Sequence, residues 1–276
     1  MSIATKIAGL RAVLVFDNWP MLVLGRIFDR RAGFVVYRKN GLEILVDHQG
    51  GDQTGTRQCI ASDMYTRYLP EFKLSGRLRV MDLGANGGGF PLMLKIEGYE
   101  LARVVCVEMN PLTYQRLQVN VTTNLRESTV ALNAAVAGPG QTGEILLKPS
   151  RGGTSESMYA NRAEAAGPHV AVRPVTLKAL YEQYFDGEAI DICKVDIEGA
   201  EYEALESAED VLRWVRYLVI ELHDPAKSPA LLEKLRGLGF VQIAGEQDHK
   251  TGAITEVRVF RGPAAEAASG ANRNAA

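Results

Sequence analysis

The sequence predicts an α/β fold built on a largely parallel sheet. Three observations carry that expectation. Short apolar runs of strand length recur from residue 77 onward, helical stretches separate them, and the first run empties into a glycine-rich loop. Strands that alternate with crossover helices place helices on both faces of a parallel sheet. A glycine loop at the carboxyl end of such a strand lies where open sheets receive ligands. Length and composition agree: 276 residues hold one large domain, or one with a small cap, and 46% hydrophobic residues allow a sizeable core. The formal net charge of -2 argues against a nucleic-acid-binding surface. The three cysteines, Cys59, Cys106 and Cys193, include no CxxC pair and read as reduced, buried thiols of a cytoplasmic protein.

Residues 1–70 read as an N-terminal helical and hairpin cap. Ile3 to Phe28 is apolar but broken by Lys6, Arg11, Asp17, Asn18, Pro20 and Arg26. No uncharged run of about 18 residues remains for a membrane span, and no small-residue cleavage site follows a clean apolar stretch. Helices packed on the main domain are expected, with peripheral membrane contact as the lesser reading. Phe34–Arg38 and Leu42–Val46 flank Asn40-Gly41, a strong hairpin signal. Asp47–Thr56 reads as loop, and a short helix is expected over Asp63–Leu69.

The main domain is expected over residues 71–262. Its strands are Leu78–Leu83, Val104–Val107, Thr129–Val136, Ile190–Val195, Tyr217–Leu222, Phe240–Ile243 and Thr255–Phe260. Helices are expected over Pro91–Glu97, Pro111–Asn120 and Leu231–Leu238, the first two with proline tolerable in a first turn. Glu144–Lys148 and His169–Val172 are extra strand-like runs around the polar segment Pro149–Pro168, long enough to be functional or disordered. Residues 263–276, rich in Ala, Gly and Asn, read as a disordered tail.

The loop Val80–Phe90, VMDLGANGGGF, carries the first chemistry. It lacks the Gly-Lys-Ser/Thr ending of a phosphate-binding loop, and Gly84-Ala85-Asn86-Gly87-Gly88-Gly89 fails the G-x-G-x-x-G spacing. Asp82 would repel a pyrophosphate but suits a cationic amino group, which favours S-adenosylmethionine with Gly84, Asn86, Gly87 and Gly88 along it. Glu108 closes the second strand, where a carboxylate accepts ribose hydroxyls. NAD enzymes share that feature, so an NAD-dependent oxidoreductase stands as the alternative, and a non-catalytic binding module as a third reading.

Several runs together are similar to the FkbM family of methyltransferases. Lys194-Val195-Asp196-Ile197-Glu198-Gly199-Ala200-Glu201 resembles its K-x-D-x-E-G-x-E signature, Glu221-Leu222-His223 its E-x-H strand, Asn133-Ala134-Ala135-Val136 its third-strand segment, and Val80–Gly87 its first motif. The likeness spans roughly residues 40 to 225. Thr176-Leu177-Lys178 departs from the family's T-L-D. The resemblance implies a class I methyltransferase fold: a Rossmann-like, doubly wound sheet of seven strands, the last antiparallel. It also implies O-methylation of a hydroxyl on a sugar, glycan or secondary metabolite, with Asn133, Ala134 and Asp196 beside the cofactor.

Lys194 and Asp196 are two apart and share a strand face. Glu198 and Glu201 begin a helix, where its dipole favours carboxylates. An alcohol needs a base or a metal to react near neutrality. Asp196, Glu198 and His223 are the candidates for the base, with His223 the natural proton acceptor at that pH. The same three could instead hold Mg2+. The Arg151–Ser157 loop, with its hydroxyls and guanidinium, is expected to face a polyhydroxylated or anionic acceptor.

Overall fold

The computed structural model describes residues 12–28, 33–126, 129–148, 169–247 and 256–265. The chain runs from α1 (Trp19–Phe28) into the hairpin β1 (Phe34–Lys39) and β2 (Leu42–Asp47), then α2 (Thr56–Ala61) and a 3-10 turn (Thr66–Glu71). The hairpin reverses through Asn40 and Gly41, both with positive φ, as a two-residue primed turn requires. The helix expected over Asp63–Leu69 is displaced. The α-helix precedes it at Thr56–Ala61, and Pro70 sits in a 3-10 turn between the amides of Tyr68 and Phe72, which donate to the Tyr65 and Leu69 carbonyls.

The main sheet follows. Its elements in order are β3 (Arg77–Leu83), α3 (Gly89–Ile96), β4 (Glu100–Glu108), α4 (Pro111–Asn124) and β5 (Thr129–Asn133). Next come the short strands β6 (Ala135–Val136), β7 (Ile145–Leu147), β8 (Val170–Val172) and β9 (Pro174–Val175), and α5 (Leu177–Tyr184). The second half holds β10 (Ile190–Val195), α6 (Glu201–Glu206), α7 (Glu209–Leu212), β11 (Val215–Leu222), α8 (Ser228–Gly237), β12 (Val241–Gln247) and β13 (Glu256–Arg261). Seven strands pair in the order β12-β13-β11-β10-β3-β4-β5. Only β13 runs against its neighbours. This is the seven-stranded, doubly wound sheet with an antiparallel last strand that the sequence led us to expect.

The run expected as one strand over Thr129–Val136 splits at Ala134. β5 stays in the main sheet, while β6 leaves it to pair with β9. β7 and β8, which flank residues 149–168 in the sequence, form an antiparallel pair, and those residues lie outside the described ones together with the Arg151–Ser157 run. Residues 266–276 of the expected tail also lie outside them.

Period-two alternation sorts the sheet's two faces. Met81, Leu83, Cys193 and Val195 pack with α5, α6, α7 and α8 residues such as Leu180, Leu205, Leu212 and Leu235. Val80, Cys106, Ile192 and Val219 face the other way, into one cluster shared by α3, α4, the hairpin and the N-terminal helix. All three cysteines are buried and free. Among the described residues no helix is long and apolar enough to cross a membrane.

Side-chain amides seat the hairpin. Asn120 on α4 accepts from the Leu45 amide at 2.7 Å and donates to the Leu45 carbonyl at 3.0 Å and the Gly87 carbonyl at 2.8 Å. One turn on, Asn124 does the same for Glu43. Spaced i, i+4, the two amides lie one above the other along the edge of β2 and pair it as a neighbouring strand would. Below them, Arg116 donates to both carboxylate oxygens of Asp52, at 2.6 and 2.8 Å, and pins the loop after β2 against α4. Asn120 is fully buried, so Asn120→Leu strands three backbone groups at once. Its unfolding free energy in urea is expected to drop by roughly 3 kcal/mol or more. Asn124→Leu, on the more exposed turn, is expected to cost less than about half that; equal losses would contradict the bridging role.

Candidate active site

A cavity opens at the carboxyl ends of β3, β4, β10 and β11. Its walls are Gly84, Ala85 and Asn86 after β3, Glu108, Met109 and Asn110 after β4, Ala134 and Val136 beyond β5, and Lys194, Asp196, Ile197, Glu198 and Ala200 after β10. Glu221 comes from β11. The cap closes the remaining side with Thr54, Gly55, Thr56, Cys59, Met64 and Tyr65.

The glycine loop is shaped first by its protein neighbours. Gly84 has φ +77°, and a Cβ there would fall 1.7 Å from the Asp196 carbonyl oxygen. The two strand ends therefore touch backbone to backbone, and the Asp196 amide donates to the Leu83 carbonyl at 2.9 Å. Any side chain at 84 would part them and move Asp196. Asn86 also has positive φ, which a short polar side chain tolerates. Its Oδ1 accepts from the Thr56 hydroxyl at 2.9 Å, tying the cap to the loop. Glu108 is held by two backbone donors, the amides of Asn86 at 3.0 Å and Asn110 at 2.8 Å. Asn133 donates to the carbonyls of Glu108 and Met109, both at 2.9 Å, so it orients that turn without lining the cavity.

The ionic centre lies where β3, β10 and β11 end. Lys194 stands directly beside Asp82 in the parallel register. Its Nζ lies 3.4 Å from Asp82 Oδ1, 3.2 Å from Asp196 Oδ2, 3.2 Å from the Gly84 carbonyl and 5.8 Å from the Tyr65 ring centre. Burial alone would push the Lys194 ammonium down, but Asp196 and Asp82 more than reverse this and keep its pKa above the ordinary value. Glu221 accepts from the Tyr65 hydroxyl at 2.6 Å. Burial and then the Asp196 charge push the Glu221 carboxyl up to about 7.

His223 sits behind this group. Its Nδ1 is 3.2 Å from Glu201, and its Nε2 is 3.4 Å from Glu198 and 3.7 Å from Asp196. Burial opposes its charge, yet the hydrogen bond and charge of Glu201, then Glu198 and Asp196, raise it to about 9. Glu201 is itself fully buried and also receives the amides of Gly199 and His223. Asp196, Glu221 and His223 each offer one ligand atom within 4.8 Å of the others, a spacing that could hold a metal ion. This differs from the expected set by Glu221 in place of Glu198.

A model of the methyltransferase FkbM domain matches residues 82–241. The chain belongs to the FkbM methyltransferase family. A methyltransferase of Sordaria araneosa, sdnD, is 30% identical over 207 residues, covering 64% of this chain and 79% of that one. Among solved structures, an FkbM methyltransferase from Methylobacillus flagellatus KT gives a TM-score of 0.49 at 19% identity, over 72% of this chain and 47% of that one. Trm5b from Pyrococcus abyssi gives 0.46 at 13% identity, over 84% and 56%. The chain thus spans about half the length of these two structures.

Within this FkbM methyltransferase, the expected residues divide into two sets. Gly84, Asn86, Glu108, Ala134, Lys194, Asp196 and Glu198 reach the cavity wall. Asp82, Gly87, Gly88, Asn133 and His223 do not. Asp82 corrects the sequence reading most: it is completely buried, and the cation beside it is the protein's own Lys194, not a ligand's amino group. Gly87 instead makes room for the Thr56 hydroxyl, and Gly88 for Leu117 and Val121 of α4. His223 is corrected too, because an imidazole with a pKa of about 9 is already protonated near neutrality and cannot take a further proton. Glu198 and Glu201 do not open a helix together. Glu198 occupies a positive-φ turn, and α6 begins at Glu201.

Glu221 and the cap residues are the site members that the sequence reading left out. Glu221 stands two before His223, and the same-face rule applied to Lys194 and Asp196 would have found it. Thr54–Tyr65 carried no comparable signal. A raised histidine pKa has a stability consequence with a defined sign. The stabilisation is fully present below about 6.5, the unfolded value, and is lost as pH rises through about 9. Thermal melts of the wild type and His223→Asn are therefore expected to differ most near pH 6 and to converge above about pH 9. A gap that widens with pH would contradict the imidazolium assignment.

Proposed function

We propose that this methyltransferase transfers a methyl group from S-adenosylmethionine to a hydroxyl of an uncharged acceptor, a sugar, glycan or secondary metabolite. The observation that carries the reading is the charge of the cavity wall: four carboxylates, Glu108, Asp196, Glu198 and Glu221, against one ammonium, Lys194. Such a wall favours a cationic cofactor and repels the pyrophosphate of a dinucleotide, which sets the NAD reading aside. When bound, S-adenosylmethionine supplies a methyl group activated by a sulfonium. Glu108 would hold its ribose: its carboxylate stands on the cavity wall, oriented by the backbone amides of Asn86 and Asn110. Gly84, Ala85 and Asn86 would line the methionyl portion, and Met109 and Val136 would give apolar contact.

The acceptor hydroxyl must lose a proton, and the Asp196–Glu198–Glu221 group is the anionic part of the wall that receives it. Glu221 fits this best because its carboxyl titrates about neutrality and Tyr65 fixes its orientation. Lys194 stays cationic and holds Asp196 in place, while His223 does the same from behind. The cap residues Met64 and Tyr65 would stand over the reacting pair on the remaining wall.

Calorimetry with S-adenosylhomocysteine tests the cofactor. Saturable binding is expected, and none is expected for NAD; the reverse result would overturn the reading. Glu221→Gln is expected to keep that binding and to lower turnover by about a hundredfold or more. The wild type should lose kcat/KM as pH falls through about 7, a limb that the variant lacks. A metal-assisted reading rests on the Asp196, Glu221 and His223 spacing. It predicts loss of activity on chelation with EDTA and recovery with Mg2+, whereas proton transfer to Glu221 predicts no change.

A further inference from the structure

The cap meets the glycine loop along a seam bare of side chains. A Cβ on Gly55 would fall 2.6 Å from Asn86 Oδ1, and one on Gly87 would strike the Thr56 hydroxyl. One on Gly89 would fall 2.8 Å from both the Thr56 carbonyl oxygen and Cys59 Cβ. None of these three glycines has a positive φ, so the missing side chain, and not backbone freedom, is what each place requires. The two backbones close on each other there, and Thr56 is buried between them.

A relay of hydrogen bonds crosses the seam. The Thr56 hydroxyl donates to Asn86 Oδ1 at 2.9 Å, and the same oxygen accepts from the Gly87 amide at 2.8 Å. Asn86 then donates its own backbone amide to Glu108 Oε2 at 3.0 Å. Its φ of +49° is costly for a residue with a Cβ, and the bonds to its side chain help to hold it there. Thr56 is itself anchored. Arg116 grips both carboxylate oxygens of Asp52, and the Asp52 carbonyl accepts from the Arg57 amide at 2.9 Å. The relay therefore starts on a fixed point of the cap and ends on a carboxylate of the cavity wall.

We propose, on the reading that S-adenosylmethionine fills this cavity, that Thr56 is a positioning residue for the cofactor. Its hydroxyl holds Asn86, and the Asn86 amide aims the Glu108 carboxylate at the ribose. Support of this kind raises affinity by fixing a ligand-binding group before the ligand arrives. Part of the cofactor's affinity is then set by a cap residue that precedes residues 82–241, the span matched to the FkbM domain.

The test is calorimetry on the full chain with S-adenosylhomocysteine and with methylthioadenosine, which keeps the adenosine and lacks the amino-acid end. Thr56→Ser retains the hydroxyl and Thr56→Ala removes it, so the pair isolates one hydrogen bond. Thr56→Ala is expected to weaken both probes alike by roughly tenfold, and Thr56→Ser to stay within about twofold of the wild type. Asn86→Gly keeps the positive φ without strain and offers no side-chain oxygen to hold. In that background Thr56→Ala is expected to have no further effect on binding, whatever it does to stability. A lower melting temperature in Thr56→Ala with unchanged binding would mark a purely structural staple and overturn the proposal. So would Thr56→Ser as weak as Thr56→Ala, or a loss confined to S-adenosylhomocysteine, which would put the influence at the methionyl end. A wild type that binds neither probe would overturn the assignment of the cofactor, and this role of Thr56 with it.

Discussion

One buried ammonium organises the catalytic end of this molecule. Lys194 stands in the middle of the sheet with Asp82 on the neighbouring strand and Asp196 two residues on. Each of these charges would be expensive to bury alone, and together they are tolerable only as a set. Removing the ammonium would leave Asp82 with no counter-charge inside the sheet, a loss on the order of 3–5 kcal/mol for a broken buried pair. The set also fixes directions. Asp196 is held between Lys194 on one side and His223 on the other, so its carboxylate has little freedom. The Gly84–Asp196 contact locks its backbone as well.

Around that ion the cavity wall is divided by chemistry. Toward β4 the groups are held by backbone amides, as Glu108 is, and they suit a ligand's hydroxyls. Toward β11 they are carboxylates raised by burial and by the Asp196 charge, as Glu221 and Glu198 are, and they suit proton transfer. Cys59 lies on the same wall but is pushed up by burial, so it remains a thiol and serves as packing. The cap belongs to both regions. Thr56 reaches the glycine loop and Tyr65 reaches Glu221, so the segment between them spans the two halves of the cavity.

The sheet was legible because its evidence is local. Apolar runs of fixed length, the Asn40-Gly41 turn and the glycine loop each report on a few neighbouring residues. Glu108 and Asp196 were legible for a related reason: each ends a strand whose direction the fold dictates. Asp82 was misread because its partner lies 112 positions away, and only strand register brings Lys194 beside it. His223 was misread because its protonation depends on Glu201, a residue assigned only to a helix start. The cap's share of the cavity was invisible for want of any motif. Loop 47–56 reads as polar linker until the Arg116–Asp52 pair shows where it is fastened.

That fastening is long-range in the sequence. Asn120 reaches back 75 residues to Leu45, and Asn124 reaches back 81 to Glu43. β1 and β2 are made first on the ribosome and form a local hairpin with a turn of their own, but two strands alone are marginal in water. Their outer edge has no partner until α4 has emerged and docked, which in turn needs β3, α3 and β4 beneath it. The cavity roof is therefore a non-local closure laid over a local hairpin, and its contacts carry a loop-closure entropy that the hairpin's own do not.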